Sequence, residues 1–296
     1  MDNKLNEIYQ RTVHCEDLRK RAKDKTQYAY LDLLYTLMRD YDELKNQEKT
    51  MEVAKEIEKI AFDVKTEEKN KVSEILLASY DTRARWGDFR AYCIALEWNR
   101  PKEKQFFLPR KRVLEKHGLI QAMQDMADDK LDFLFVSMPP RTAKSTTGLF
   151  FLSFMAGLYP ERSILGSGHS TSLSQSFYNE MLNLMTSEEY RYSEIFPQNF
   201  IINQSAEYSW IDLNHNKRFH TITFKSIDGG TTGLAEASNI LYCDDLIKDI
   251  EQANNPNRLD KIFYTYTSTI QDRKVQRLCK DGKYRPCPEI HIATRW

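Results

Sequence analysis

The sequence predicts an α/β fold: a mainly parallel sheet flanked by helices, preceded by an all-helical N-terminal appendage and carrying an inserted β-hairpin. Three observations lead there. The first 86 residues contain neither glycine nor proline and place apolar residues at helical spacing. From Leu131 onward, short apolar runs alternate with helix-length stretches, the pattern of parallel strands joined by helical crossovers. Between the second and third runs, Tyr208–Leu213 and Arg218–Lys225 alternate in polarity around the polar turn Asn214–Lys217, which reads as an antiparallel hairpin.

In the N-terminal stretch, Leu34, Leu37, Met38 and Tyr41 fall on one helix face, and Val53, Ile57, Ile60 and Val64 on another. Two or three helices are expected, with polar breaks near Asp24–Thr26 and Asn46–Thr50. Gly87, Pro101 and Pro109 mark a transition, followed by a helix around Val113 to Met126. Strands are expected at Asp132–Ser137, Ser163–Ser167, Asn239–Asp244 and Glu289–Thr294, with helices at Lys144–Tyr159, Ser172–Thr186 and Pro256–Asp272. Asn254, Asn255 and Pro256 make a good start for the last, an Asx cap with proline at the first helical position. The expected division is a helical appendage over residues 1–90 and an α/β domain over residues 91–296.

Composition narrows the function classes. The chain has 296 residues, 41% apolar and 29% charged, with 43 basic and 43 acidic side chains. A neutral chain has no global basic field, so contact with nucleic acid must come from a local patch. Five scattered cysteines without a C-x-x-C pair favour reduced thiols over disulfides or zinc. MDNKLNEIYQR lacks a signal-peptide core, and the longest apolar stretch, Leu149 to Tyr159, is too short to span a bilayer. A soluble protein without a membrane partner is expected.

The chemistry concentrates in residues 133–147, FLFVSMPPRTAKSTT. Strand, tight loop, Lys-Ser and helix is the phosphate-cradling arrangement of P-loop NTPases. Backbone N–H groups of the loop and helix start, Arg141 through Thr146, would face phosphate oxygens. Lys144 would add a point charge and Ser145 a hydroxyl for Mg2+. The G-x-x-x-x-G-K-[ST] pattern wants glycine at Met138 and Ala143, and neither is one. The other reading is a proline-broken turn with a solvent lysine. A second signal follows at Asn239-Ile-Leu-Tyr-Cys-Asp-Asp245, an apolar run ending in paired carboxylates. Asp244 would hold the Mg2+ water shell and Asp245 would orient and deprotonate the attacking water.

These residues resemble a known family. Met138-Pro-Pro-Arg-Thr-Ala-Lys-Ser-Thr146 is similar to the PPRxGKS loop of large terminase subunits, the DNA-packaging motors of tailed phages. The stretch from Gly229 through Asp244 and Asp245 to Asp249 resembles that family's glycine-rich lead into its Walker B motif. Ile164–Glu180 is similar to the strand and helix after its P-loop, Tyr266–Ile270 to a following helix, and Ile292–Trp296 to its coupling motif. The resemblance covers residues of about 95–296.

The resemblance implies an ASCE-type sheet, with an extra strand between the P-loop strand and the Walker B strand. It implies an ATPase using ATP and Mg2+ to drive double-stranded DNA into a capsid, in the cytoplasm of an infected host. Its implied partners are a portal protein, a small terminase subunit and further copies in a homo-oligomeric ring. By position, Pro140, Arg141, Thr142, Ala143, Lys144, Ser145 and Thr146 bind nucleotide, and Ser145 and Asp244 hold the metal. Asp245 and Arg141 are catalytic, and Thr294, Arg295 and Trp296 form the coupling motif. Arg100, Pro101, Pro109 and Arg110 lie where the family places its adenine-side segment. Asp245 stands where many relatives carry glutamate. The family continues past the position of Trp296 toward a nuclease domain, for which these residues offer no cluster of acids, so no nuclease activity is expected. Two alternatives remain: a degenerate P-loop assembly module without turnover, and a superfamily 2-like helicase fragment.

Overall fold

Free of glycine and proline, the described residues before Gly87 fold as four helices rather than two or three, and a fifth helix follows Gly87. The computed structural model describes residues 3–215, 218–229 and 235–294. The chain divides into a first unit, Met1–Trp98, and a second, Asn99–Trp296.

The first unit contains α1 (Asn3–Arg21), α2 (Tyr28–Glu43), α3 (Gln47–Ile60), α4 (Lys69–Arg85) and α5 (Phe89–Leu96). The expected break at Asn46–Thr50 is shorter than its composition suggests. The Asn46 side chain accepts a hydrogen bond from the Lys49 N–H at 3.1 Å and so starts α3. Asp88 likewise accepts from the Ala91 N–H at 2.9 Å and starts α5, which crosses the expected boundary at residue 90. Leu31, Leu34, Leu37, Val53, Ala54 and Ile57 are fully buried. Burial pushes the Glu58 carboxyl up, but the Arg83 and Arg90 guanidiniums overcome this and hold it at about 2.

In the second unit α6 (Lys111–Lys116) and α7 (Leu119–Ala127) replace the single helix expected over Val113–Met126. Gly118, at φ +76°, separates them. The sheet strands are β1 (Phe133–Met138), β2 (Ile164–Gly168), β3 (Ile201–Ser205), β4 (Trp210–Leu213), β5 (Ile222–Ser226) and β6 (Ile240–Asp244). A small ribbon, β7 (Gln276–Leu278) with β8 (Tyr284–Pro286), stands apart, and β9 (Glu289–Thr294) comes last. The seven-stranded order is β1-β9-β6-β2-β5-β4-β3. Pairings from β1 through to β5 are parallel, and those of β4 with β5 and β3 are antiparallel. The expected hairpin therefore forms as β4–β5, but it is not a separate insertion. Its second arm is a member of the parallel sheet, and β3 continues the sheet beyond it.

Helices α8 (Lys144–Leu158) and α9 (Thr171–Thr186) cover one face, and α8 is apolar on almost every side because it is buried on almost every side. A Cβ at Gly148 would lie 2.6 Å from the Tyr242 hydroxyl, so glycine there is what allows α8 to approach β6. The other face carries a core of Leu165, Leu241, Cys243, Tyr266 and Ile270, with Ile262 packed against it. After two short helices, α10 (Tyr192–Ile195) and α11 (Ile250–Ala253), Ile262 lies on α12 (Pro256–Thr265), which runs into a π-turn over Tyr266–Ile270 rather than continuing regularly to Asp272. Cover on this face is incomplete, contrary to the two-sided cover that sequence alternation implies. Phe133 and Phe135 remain 53% and 59% exposed and line a pocket of about 680 Å³ beside α12. No helix among the described residues is long and apolar enough to cross a membrane.

Candidate active site

The site stands at the carboxyl ends of the parallel strands, where open α/β sheets place their ligand crevices. Register aligns those ends. Met138 of β1 pairs with Thr294 of β9, and Asp244 of β6 pairs with Ile292 of β9 and Gly168 of β2.

The loop after β1 turns through two left-handed residues, Arg141 at φ +65° and Ala143 at φ +62°. Thr142 lies between them, its hydroxyl donating to the Pro139 carbonyl at 2.9 Å. This backbone accommodates one departure from the glycine pattern and strains the other. Met138 is an ordinary strand residue, where a side chain costs nothing. Ala143 occupies a conformation that favours glycine, at a cost of about 1–2 kcal/mol for an L-residue. Pro140 and Arg141 are exposed, Thr142, Ala143, Ser145 and Thr146 are half-buried, and Lys144 is buried. No side chain caps the N-terminus of α8, which leaves its first amides for another acceptor.

Lys144 is not the solvent lysine of the alternative reading. Its Nζ donates to the carbonyl oxygens of Met138 and Ala293, each at 3.1 Å, tying the loop to β9.

Asp244 is 1% exposed. Its Oδ2 accepts from the Tyr242 hydroxyl at 2.8 Å, while its Oδ1 has no hydrogen-bond partner. Burial pushes its carboxyl up to about 6, against the opposing pull of the Ser145 and Tyr242 hydroxyls. Asp245 follows at φ +43°; its N–H donates to the Ile292 carbonyl at 2.9 Å, and its carbonyl lies 2.9 Å from His169 Nδ1.

The structure thus brings Lys144, Ser145, Asp244 and Asp245 to one place, with Thr294 ending the adjacent strand. Arg295, Trp296 and most of the glycine-rich lead (230–234) lie outside the described residues. Arg100 is neither exposed nor idle. Its guanidinium donates to the Tyr190 hydroxyl, lies 4.1 Å from that ring's centroid and pairs with Glu189 at 3.5 Å. Arg110 donates to the Phe106 carbonyl at 3.2 Å. Two side chains were missed from sequence. Tyr242, two residues before Asp244, had a signal in the period-2 alternation of the strand, which puts both on one face. His169 had none beyond its place after an apolar run.

An acceptor-rich ligand with a divalent cation fits these residues on two grounds. A buried carboxylate oxygen without a donor has the character of a cation ligand awaiting its ion. A buried lysine and an uncapped helix N-terminus supply the matching positive field for phosphate. Among the described residues, no group of three or more His, Cys, Asp or Glu side chains forms a metal cage, so any ion there would draw its remaining ligands from water and phosphate. No protein-family model matches the chain, and no curated protein matches it in sequence.

Proposed function

We propose that the second unit is a Mg2+-dependent ATPase of P-loop, ASCE type, the motor domain of a phage large terminase subunit that drives double-stranded DNA into a capsid. The observation that carries this reading is the buried, unpartnered Oδ1 of Asp244 beside Ser145 and Lys144. The placement of β9 between β1 and β6 supports it, since a strand inserted there is what the terminase resemblance implies.

In this reading Mg2+–ATP supplies the electrophilic γ-phosphoryl group. The loop from Pro140 to Thr146 and the start of α8 receive its phosphates, with Lys144 exchanging its two carbonyl partners for phosphate oxygens. Ser145 and Asp244 hold the cation, and Tyr242 orients the Asp244 carboxylate through Oδ2. Asp245 accepts the proton of the attacking water, and exposed Arg141 is placed to sense or stabilise terminal phosphate charge. Thr294, Arg295 and Trp296 couple this state to movement. Double-stranded DNA, a portal protein, a small terminase subunit and further copies in a ring are its partners, in the host cytoplasm, and the chain moves DNA without cutting it.

The test is Mg2+-dependent phosphate release by the purified chain. Turnover that disappears in both Lys144→Ala and Asp244→Asn supports the reading, and turnover unchanged in both overturns it. A specific observation favours one alternative, an assembly module without turnover: Lys144 is already satisfied by two carbonyls, and Ala143 stiffens the loop. Nucleotide binding with no hydrolysis under any metal would select it.

A further inference from the structure

His169 sits at the mouth of the sheet, one residue past the end of β2 and beside the Asp244–Asp245 pair. A carbonyl oxygen only accepts, so the 2.9 Å contact between His169 Nδ1 and the Asp245 carbonyl requires the proton on Nδ1. That hydrogen bond completes a clamp. The Asp245 N–H is held by the Ile292 carbonyl of β9, and the Asp245 C=O by the imidazole that follows β2. Between these two anchors Asp245 adopts φ +43°, a conformation that costs an L-residue free energy and persists only where its surroundings impose it.

We infer that His169 is a positioning residue: its Nδ1–H fixes the left-handed backbone of Asp245 and thereby aims the carboxylate that accepts the water proton. The inference rests on the ATPase reading for its chemistry and on the hydrogen-bond geometry for its residue. Gly168, just before the ring, leaves room for the start of α9, since a Cβ there would meet the Leu173 side chain at 2.9 Å. With the clamp lost, Asp245 relaxes toward right-handed backbone, and its carboxylate turns off the line on which a reacting group must be met, where small misplacements are costly. His169 need not touch nucleotide for this, so binding should not depend on it.

Three measurements on the full chain test the inference. Nitrogen–proton correlation spectra of the side chain should show the Nδ1–H form of His169, and finding the proton on Nε2 alone overturns the contact. His169→Ala should lower kcat by roughly ten- to a hundredfold with the nucleotide Kd unchanged within about twofold. His169→Asn, whose Nδ2–H can donate to the same carbonyl, should recover most of that loss. Unchanged kcat in the alanine variant, or equal loss in alanine and asparagine variants, overturns the positioning role. A wild-type chain that turns over no ATP, with Nδ1–H intact, overturns the ATPase reading and takes the catalytic role of the clamp with it.

Discussion

Lys144 Nζ donates to the Ala293 carbonyl of β9 at 3.1 Å, a hydrogen bond that spans 149 residues of sequence. The loop that would receive phosphate is therefore latched to the strand that ends in Thr294. Any anion that draws the ammonium toward itself releases a carbonyl one residue before the proposed coupling motif.

The first prediction follows from that latch. Lys144→Ala should weaken ATP binding by at least about a hundredfold, near 2.7 kcal/mol. Asp245→Asn should leave affinity within about twofold while removing turnover, because it alters the proposed proton acceptor and not the cradle. Calorimetric titration with a non-hydrolysable analogue, paired with phosphate release, separates the two.

Ala143 tests the loop path. At φ +62° a glycine removes strain of about 1–2 kcal/mol, offset by about 0.5–1 kcal/mol of added unfolded-chain entropy. Ala143→Gly should thus stay within about 1 kcal/mol of wild-type stability, and its ATP affinity should rise by up to about tenfold. Ala143→Val, β-branched in the same conformation, should lose more than about 1 kcal/mol. Urea unfolding of the three proteins is the measurement, and a valine variant as stable as wild type contradicts the loop geometry.

Asp244 carries a pH signature. Its folded pKa, about 6, lies above its ordinary 3.8, so the folded state binds this proton more tightly than the unfolded state does. That contribution to stability is fully present below about pH 3.8 and is lost as pH rises through about 6. Above pH 7 the ionised carboxylate stands as a cost of up to about 3 kcal/mol. Without divalent cation, Asp244→Asn should be more stable than wild type at pH 8 by about 1–3 kcal/mol, and the difference should shrink toward pH 5. Denaturant midpoints at the two pH values check it.

Gly148 reports on the approach of α8 to the sheet. In Gly148→Ala the new methyl meets the Tyr242 hydroxyl and Cε2, at 2.6 and 2.8 Å, so either α8 lifts or the ring turns away from Asp244. A stability loss of about 1–3 kcal/mol is expected. Turnover should fall further than stability does, because Tyr242 orients the proposed metal ligand. Thermal unfolding together with kcat measured well below the midpoint distinguishes these effects.

Much of the architecture was legible because it is local. The apolar runs Phe133–Val136 and Ile240–Cys243 and the break at Pro139–Pro140 announce strands and a loop through periodicity and backbone chemistry alone. Asn46 hid a helix start inside a polar stretch that read as a break, and Asp88 hid another at the Gly87 transition. The clamp on Asp245 was not legible, since its parts come from the ends of β2, β6 and β9, which only the strand order brings together. The burial of Arg100 was hidden for a similar reason: Tyr190 and Glu189, its partners, are distant in sequence. The incomplete cover over Phe133 and Phe135 also escaped, because α12 has the amphipathic pattern of a packed helix while none of its residues between Pro256 and Thr265 is buried.

The position of β9 has a consequence for biosynthesis. β1 and β6 do not pair with each other; each pairs with β9, which is made after both. Until β9 is made, β1 and β6 lack the strand that joins them, and the backbone groups that face it are unpaired. The loop after β1 lacks its latch until Ala293 has emerged. Strand pairing of this range makes folding slow, and the waiting edges are the surfaces on which a nascent chain aggregates or recruits a chaperone.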